Sequence, residues 1–404
     1  MKKTIAIIEV GSSREYAFES IRKAGYHIVL FTRLPERFEG MAHELIHVDT
    51  NNEHELLNEV ISYNEKNSID AALTLLEGYV PITAKIAKEL NLKGVTEEVA
   101  LNCRNKYIMR KRFKKHDLPI PKFILCDEEK QLDNAVKEVG GFPCIIKPID
   151  GTGSTNVTKV TNMDELNTEF NKIKNTTFNS RKQKLEKSVL IEELLIGNEY
   201  CIDSITINGE TTILGICDYE MTEGPHFVEM GYLIPSLLTE NSQKKVEKLV
   251  KDAIKSVGIV NGVSHCELKS TKDGFKLIEI AGRHGGGHLA ESLELSKGIN
   301  HYVEYVKFLC GDEINIKSKK KDYVIMDFIF PNTSGIVKSL PNIEEIRLMP
   351  EVNEISLNLN VGDVVTDDIQ DYTSIVGYFL TNGKTSEEVK NNAKKIKNKI
   401  VIET

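Results

Sequence analysis

The segment VSHCELKSTKDGFKLIEIAGRHGGGH, residues 263–288, decides the fold of this chain, because it has the pattern of a β-hairpin carrying two opposed carboxylates. A turn centred on Asp273 places Glu267 directly across from Glu279. Cross-strand neighbours lie about 5 Å apart, and like charges at that distance destabilise a sheet. A divalent cation between them removes the repulsion, and magnesium prefers carboxylate oxygens. The hairpin therefore predicts a metal site.

A second interpretation of the hairpin stays open. Lys269 and Lys276 lie on the same two strands, and they would neutralise the glutamates on a solvated face. The metal interpretation also depends on register, because a shift of one residue moves Glu267 or Glu279 to the opposite face.

The composition is that of a globular protein, with 40% hydrophobic and 28% charged residues. For 404 residues we predict three domains, residues 1–105, 106–310 and 311–404. The net charge of −8 argues against a nucleic-acid partner. No segment approaches the ~20 apolar residues that span a bilayer, so no membrane association is expected. The seven cysteines are scattered without metal-ligand spacing, which fits a reducing cytoplasm.

Residues 4–95 alternate short apolar runs with helical patterns, which predicts a doubly wound parallel sheet covered on both faces. The run that begins the chain is interrupted at Glu9, so we interpret it as a first strand and not as a secretory signal. Only Gly11 precedes Ser12 and Ser13 in the first strand-to-helix turn. The three-glycine dinucleotide fingerprint is missing, which argues against a nicotinamide enzyme.

The pattern from residue 106 onward is mixed α+β, with antiparallel strands joined at Asn208-Gly209, a strong hairpin signal. The polar stretch NTTFNSRKQKLEKS, residues 175–188, is predicted to be a mobile surface excursion. The lysine-rich stretch NIKSKKKD after residue 310 marks the start of a smaller α+β unit.

The stretch FPCIIKPIDGTGSTNV, residues 142–157, is an apolar strand that delivers Lys147 to a loop containing Gly151, Gly153 and Ser154. Glycines let the backbone approach a ligand, and consecutive amides and hydroxyls can hold phosphate oxygens. The alternative is a tight turn between two strands.

The stretch VLIEELLIGNEY, residues 189–200, places Glu192 and Glu193 on a strand and Glu199 at the start of another. Backbone groups in the connector between the strands can pair with a planar heterocycle, and a carboxylate can accept from ribose hydroxyls. Taken alone, the three glutamates also fit surface charges.

Five motifs in a fixed order resemble the ATP-grasp superfamily over nearly the whole chain. The segment EIAGRHGGGH, residues 279–288, most resembles the amino-acid ligases of that superfamily. The motifs are NKYIMRKRF (105–113), IIKPIDGTGSTNV (145–157), IEELLIGNE (191–199), HCELK (265–269) and IEIAGR (278–283). The resemblance implies an N-terminal doubly wound domain, a central ATP-grasp domain with a mobile lid at about residues 118–188, and a small C-terminal α+β domain. It also implies ATP and one or two Mg²⁺ ions as cofactors, with Mn²⁺ as a substitute.

The resemblance assigns roles to single residues. It implies that Lys106 and Lys147 contact the ATP phosphates while Ser154 and the amides around Gly153 close over them. It further implies an adenine-amine contact for Glu192, ring-edge contacts for the backbone of Glu193 and Leu195, and a ribose contact for Glu199. Magnesium would be held by Glu267 and Glu279, and Arg283 would stabilise the transferred phosphoryl group. One departure is Ala281, where many family members have asparagine, which leaves a second magnesium in question.

The substrate side of the site is suggested by position in the sequence. His265 shares a face with Glu267, as a substrate contact, a proton acceptor or a structural histidine. His284 and the glycines from Gly286 onward would form an anion site at a helix start. Glu77 follows a parallel strand at the edge where open α/β sheets bind ligands, and it is our candidate for an ammonium group against a plain surface glutamate.

The sequence therefore predicts an ATP-dependent carboxylate–amine ligase that forms a peptide or amide through an acyl phosphate and releases ADP and phosphate. The partners would be small-molecule carboxylate and amine substrates, one of them an amino acid. The alternatives are a carboxylase-type or carrier-protein ligase and a nucleotide-binding regulatory module without turnover. The oligomeric state is open, although a homodimer is common in the resembling family.

Overall fold

The computed structural model describes residues 2–11 and 14–404, so Ser12 and Ser13 of the first strand-to-helix turn lie outside the described residues. The N-terminal part contains a parallel sheet of strand order β3-β2-β1-β4. Its strands are β1 (Thr4–Ile8), β2 (His27–Thr32), β3 (Glu44–His47) and β4 (Ala71–Leu73), and its helices are α1 (Glu15–Lys23), α2 (Glu53–Lys66), α3 (Val80–Glu89) and α4 (Glu97–Arg104).

Alternate residues of β1 show that this sheet is covered on both faces. Ile5 and Ile7 pack in the same cluster as Phe18 of α1, whereas Ala6 and Ile8 pack with Val60 of α2. Side chains of a strand point alternately to opposite faces, so an uninterrupted apolar run is what a doubly covered strand requires. The predicted fold class of this domain is confirmed.

The predicted lid region folds as a second sheet, called the lid sheet below, which is antiparallel with strand order β5-β8-β6-β7. Helix α5 leads into this sheet. Two further helices, α6 and α7, cover the apolar face of the sheet. The elements are α5 (Lys106–Lys115), β5 (Phe123–Cys126), α6 (Leu132–Val139), β6 (Cys144–Pro148), β7 (Thr158–Val160), α7 (Met163–Asn175) and β8 (Val189–Glu193). The lid sheet therefore extends past residue 188, into the strand that carries Glu192.

The third sheet is the largest in the described part of the chain, with strand order β13-β12-β9-β10-β11-β14-β18-β16. Its central elements are β9 (Glu199–Ile207), β10 (Glu210–Met221), β11 (Glu229–Ile234), α8 (Glu240–Val257), β12 (Gly262–Thr271), β13 (Gly274–Ala281), α9 (Leu289–Lys297) and α10 (His301–Cys310). The C-terminal elements are β14 (Tyr323–Ile329), β15 (Gly335–Ile336), α11 (Ile343–Arg347), β16 (Glu354–Leu357), β17 (Val364–Val365), β18 (Gly377–Gly383) and α12 (Ser386–Lys399).

The predicted boundary at residues 310 and 311 lies inside one continuous sheet. Strand β14 pairs with β11 of the central part, from Gly231 opposite Asp327 to Ile234 opposite Val324. Strand β15 pairs with β17 in a separate small ribbon. The C-terminal part is thus joined to the central part by main-chain hydrogen bonds as well as by the chain itself.

The decisive hairpin has the predicted carboxylate pair but a different turn. Thr271 pairs with Gly274, so the loop is the two residues 272 and 273, and the predicted turn centred on Asp273 is wrong. An irregularity between Glu267 and Leu268 then shifts the register by one residue, and Glu267 pairs with Glu279. A bulge of this kind adds one residue to one strand, which changes the residues that face each other across the strands beyond it. Without it, the two carboxylates would not be opposed.

The 175–188 segment is not a free surface excursion. Asn51 of the N-terminal part donates through Nδ2 to the Arg181 carbonyl at 2.9 Å, and Gln183 donates through Nε2 to the Gly78 carbonyl at 3.2 Å. The segment thus spans from the lid to the N-terminal part. The described helices include none that combines the length and apolar character needed to cross a bilayer.

We expect Gly197→Ala to destabilise the protein more than Gly209→Ala. Both residues have positive φ, +148° and +83°, but a Cβ on Gly197 collides with the Ser270 carbonyl whereas one on Gly209 meets nothing within 4 Å. Strain alone costs about 1 kcal/mol at Gly209, and strain plus collision about 2–4 kcal/mol at Gly197. Denaturant unfolding of both variants measures the difference. Equal losses would show that the connector is free to move away from the hairpin.

Candidate active site

A cavity of about 670 Å³ lies where the lid sheet, the large sheet and the N-terminal part meet. This volume is typical of small-molecule sites. The structure brings every predicted site residue except His284 to its wall. These residues are Glu77, Lys106, Lys147, Gly151, Gly153, Ser154, Glu192, Glu193, Leu195, Glu199, His265, Glu267, Glu279, Arg283 and Gly286.

A buried carboxylate with two cations forms one end of the cavity. Glu192 of β8 accepts from Arg110 Nε at 2.7 Å and pairs with Lys147 Nζ at 2.5 Å, and all three side chains are almost fully buried. Burial alone raises the pKa of Glu192, but the attraction of Arg110 and Lys147 outweighs it and the pKa is lowered. Burial, together with Arg110 and Lys106, lowers the pKa of Lys147 against the pull of Glu192. This cluster of one carboxylate and two cations therefore carries a net positive charge.

Arg110 was missed by the sequence analysis, which took only Lys106 from this helix. The two residues are four apart on α5 and therefore lie on one face, and this spacing was the signal available in the sequence. The guanidinium of Arg110 is fully buried, and its Nη1 has no hydrogen-bond partner among the described residues. A buried unpaired donor is costly, which favours an anionic ligand at this position.

Lys106 connects the glycine loop to the hairpin. Its Nζ donates to the Gly151 carbonyl at 3.0 Å and pairs with the Glu279 carboxylate at 3.0 Å. Its backbone is fixed too, because Asn105 caps the helix by accepting from the Ile108 N–H. Lys106, Arg110 and Lys147 thus face two carboxylates, Glu192 and Glu279. The excess of one positive charge suits phosphate oxygens.

Glu267 and Glu279 keep partly exposed carboxylates at the cavity, 29% and 23% of their side-chain surface. The two lysines of the alternative interpretation point elsewhere, since Lys269 pairs with Glu199 at 3.2 Å and Lys276 with Glu193 at 3.1 Å. Among the described residues, no group of three or more acidic, histidine or cysteine side chains is arranged to hold a metal. Two carboxylates fit magnesium, which usually takes one or two carboxylates together with substrate phosphates and waters.

Glu199 lies beside this pair and is buried. Burial raises its pKa to about 7, Lys269 opposes the rise, and Glu267 adds to it. Lys269 also lies over the ring of Phe227, another cavity residue, at 4.9 Å from the ring centroid. The Glu199 carboxyl is therefore held in place on the cavity wall, and its ribose contact stays a prediction.

The adenine contacts implied by the resemblance are constrained by bonds within the chain. Both oxygens of Glu192 receive cationic N–H groups, and the Glu193 N–H donates to the Lys122 carbonyl at 2.9 Å. An adenine amine would have to share a Glu192 oxygen. The Glu193 carbonyl and the Leu195 backbone are the main-chain groups left for the ring.

The glycine loop is covered by the C-terminal part. A Cβ on Gly153 would overlap the ring of Tyr372, and Gly153 and Ser154 both have left-handed φ, +61° and +59°. The Tyr372 hydroxyl is 2.9 Å from the Ser180 hydroxyl of the 175–188 segment. The loop and Tyr372 therefore line the cavity together, and the loop conformation favours glycine at position 153.

Arg283 and Glu77 form an ion pair on the wall of the cavity. Arg283 Nε lies 2.7 Å from Glu77 Oε2, an ion pair that lacks the alignment of a hydrogen bond, and Arg283 Nη1 donates to the His284 carbonyl at 2.6 Å. Burial lowers the pKa of Arg283, but Glu77, Glu279 and Glu267 raise it further than burial lowers it. The predicted ammonium site at Glu77 therefore already holds a guanidinium.

His265 is held by a carboxylate that the sequence analysis did not identify. Its Nδ1 is 2.7 Å from Asp203 Oδ1, while its Nε2 lies 3.4 Å from Glu267 and 3.3 Å from the Tyr219 hydroxyl. Burial lowers the pKa of His265, but the bonds to Asp203 and Glu267 raise it well above its usual value. Asp203 and His265 pair across β9 and β12, a contact that only the sheet register reveals.

His284 is the predicted site residue that the structure turns away from the cavity. Its ring packs against His301 at 4.3 Å, Tyr302 at 4.7 Å and Tyr305 at 5.3 Å. Burial lowers its pKa well below the usual range, so the ring is neutral and suits an aromatic core. The turn of the chain at Gly285 and Gly286 instead brings His288 to the cavity, stacked on Tyr378.

Glu229 is a partly buried cavity residue that was not predicted from the sequence. Burial, opposed by His265 and reinforced by Glu267 and Glu199, raises its pKa to about 8. Its Oε1 has no hydrogen-bond partner in the described chain. The residue opens β11 in a stretch without a readable motif, so no sequence signal marked it.

Comparison with known proteins identifies two family models that match consecutive parts of the chain. Residues 140–291 match the family model of the ATP-grasp domain, and residues 327–404 match that of the L-amino acid ligase C-terminal domain 2. Over 281 residues the chain is 27% identical to alanine–anticapsin ligase of Bacillus subtilis (strain 168), covering 65% of this chain and 59% of that protein. It is 25% identical over 281 residues to an L-arginine-specific L-amino acid ligase of Bacillus subtilis, covering 68% and 66%.

The structural comparison covers the full length. All of this chain aligns with 99% of the L-amino acid ligase from Bacillus licheniformis, with a TM-score of 0.87 and 23% sequence identity. The sequence alignments span less than two thirds of the two curated relatives, whereas the fold is shared from end to end.

We expect Glu192→Ala to lower stability by about 3–5 kcal/mol, because it leaves Arg110 and Lys147 buried without their anion. Glu193→Ala is the matched control. Its ion pair with Lys276 is partly exposed, so its loss should cost about 1 kcal/mol or less. Denaturant unfolding without nucleotide measures both. Similar values for the two variants would contradict the anchoring role of Glu192.

Proposed function

This chain carries an ATP-grasp domain followed by an L-amino acid ligase C-terminal domain, as its sequence predicts, and from that premise we propose that it is an ATP-dependent carboxylate–amine ligase. Its relatives with named activities are ligases, which agrees with the predicted enzyme class. The proposed substrates are a carboxylic acid and an amine, at least one of them an amino acid, and the products are an amide, ADP and phosphate.

The observation that carries the proposal is the set of charges that line one cavity. Lys147 pairs with Glu192, Lys106 pairs with Glu279, Glu267 lies opposite Glu279 in the hairpin, and Arg283 pairs with Glu77. This set provides cations for the phosphates of ATP, carboxylates for a metal, and a further guanidinium. Transfer of a phosphoryl group from ATP to a carboxylate uses groups of these kinds.

The proposed chemistry has two steps. An oxygen of the acid attacks the γ-phosphorus of ATP, the bond to the bridging oxygen breaks, and ADP leaves. The amine then attacks the acyl carbon, the carbon–oxygen bond to phosphate breaks so that inorganic phosphate leaves, and the nitrogen loses one proton as the amide forms. A carboxylate itself cannot be displaced by an amine because its oxygen is a poor leaving group, which is why the acyl phosphate is required.

The residues of this chain have separate tasks in that chemistry. Lys147 and Lys106 would hold phosphate oxygens and offset the charge that develops on them. Magnesium held by Glu267 and Glu279 would supply further neutralisation of the same oxygens. Arg283, already oriented by Glu77, would bind the acyl phosphate oxygens during amine attack. The lid, the 175–188 segment and Tyr372 would keep water from the acyl phosphate.

The first experiment is a phosphate-release screen of amino-acid pairs with mass spectrometry of the products. We expect ADP and phosphate in equal amounts with an amide product for at least one pair. A folded protein that releases no phosphate with any acid and amine would contradict the ligase assignment.

Glu279→Gln tests the metal assignment. The amide keeps the shape and an acceptor for Lys106 but removes the charge, so we expect magnesium-dependent ADP formation to fall by 100-fold or more, on the order of 3 kcal/mol in the barrier. Asp273→Ala, at the exposed tip of the same hairpin, is the control and should keep wild-type rates. Unchanged magnesium dependence in a folded Glu279→Gln protein would rule out the metal role.

Oxygen-18 labelling tests the acyl phosphate. With label in the carboxylate of the acid, we expect one labelled oxygen in the released inorganic phosphate, because the attacking oxygen leaves with that phosphate. An adenylate route would deliver the label to AMP. Label in AMP, or unlabelled phosphate formed together with the amide, would overturn the two steps proposed.

A further inference from the structure

Arg181 enters the cavity wall from the 175–188 segment, and its side chain has no role in the chemistry above. Its Nη2 lies 3.0 Å from the position that a Cβ on Gly11 would take, at the end of the first parallel strand. Its side chain is partly buried and lines the cavity together with Gly11 and Gly78. Any side chain larger than glycine at position 11 would press against the guanidinium.

The segment that carries Arg181 is held on both sides of this residue. Asn179 Oδ1 accepts from the N–H groups of Arg181 and Gln183, both at 2.9 Å, which closes a tight turn. Asn51 donates to the Arg181 carbonyl and Gln183 donates to the Gly78 carbonyl. These bonds use the backbone of Arg181 and leave its side chain free to meet a ligand.

The guanidinium of Arg181 has no ion pair with a carboxylate among residues 2–11 and 14–404. The acidic side chains that follow strands at this edge of the sheet are already engaged. Glu9 accepts from Thr32 and Thr50 and lies 3.6 Å from Arg33 Nε, and Glu77 pairs with Arg283. A partly buried arginine without an anion favours a ligand that supplies one.

We propose that Arg181 binds the carboxylate of an amino acid that serves as the amine substrate. This inference rests on the proposed function. The carboxylate of the acid substrate is consumed at the Arg283 end of the cavity, where its charge passes to the phosphate. The amine substrate, if it is an amino acid, keeps its own carboxylate through both steps. A fixed cation on the N-terminal wall matches an anion that stays charged throughout.

The proposal makes the lid segment a specificity element for the amine. An amino acid would be accepted with its carboxylate paired, while an amine without a carboxylate would leave Arg181 unpaired in the closed cavity. Wild-type protein should therefore prefer a free amino acid to the corresponding carboxamide, which has the same side chain and the same nucleophile but no negative charge.

The test measures KM and kcat for the best amine substrate from the screen and for its carboxamide, at saturating ATP and acid. We expect Arg181→Ala to raise KM for the amino acid about 10- to 100-fold and to leave KM for the carboxamide within about twofold. Arg181→Lys should give an intermediate KM, because it keeps the charge and loses the two-pronged geometry. Lys184→Ala, which removes an exposed charge from the same segment, should match the wild type.

The outcomes separate this inference from the proposed function. Active wild-type protein in which Arg181→Ala weakens both amines equally, or neither, overturns the carboxylate contact and leaves the ligase assignment intact. A raised KM for the acid substrate alone also overturns it, since the anion bound would then belong to the acid. Absence of turnover with every pair in the wild type overturns the proposed function itself.

Discussion

The rest of the site depends on the buried contact of Glu192 with Arg110 and Lys147. The three side chains come from a strand of the lid sheet, from the helix that leads into it and from the adjacent lid strand, so the contact fixes these elements relative to each other. Two buried cations and one anion are unfavourable by themselves, because desolvation is repaid only in part. Lys106 is paired with Glu279, so one positive charge remains as a permanent feature of the cavity that an anionic ligand would satisfy.

The cavity is closed from three parts of the chain. The glycine loop comes from the lid, Tyr372 covers it from the C-terminal part, and the 175–188 segment rests on the N-terminal part at Gly78. These contacts join regions that the sequence treats as separate domains, and the large sheet runs without a break from the central to the C-terminal part. The C-terminal part is thus a structural wall of the site as well as an appended unit, which agrees with its match to a ligase C-terminal domain.

Four carboxyl groups of the cavity fall into two pairs with different surroundings. Glu267 and Glu279 lie opposite each other with partly exposed carboxylates, whereas burial raises the pKa of Glu199 to about 7 and that of Glu229 to about 8. Burial raises the pKa of Glu279, but Lys106 lowers it further, so this carboxylate stays charged and suits a cation. The second pair exchanges protons near neutral pH, which suits hydrogen bonding to neutral groups.

The sequence by itself determined the parallel sheet, the ATP-grasp domain, the location of Glu267 and Glu279 on the two strands of one hairpin, and the strand that delivers Lys147. Local patterns such as apolar alternation, turn residues and ordered motifs record these features. The tertiary structure alone decided which partners those residues meet. The bulge beside Glu267, the pairing of Asp203 with His265, and the placement of Arg181 against Gly11 all join positions far apart in the chain. Such contacts depend on sheet register and domain packing, for which a single sequence carries no local signal.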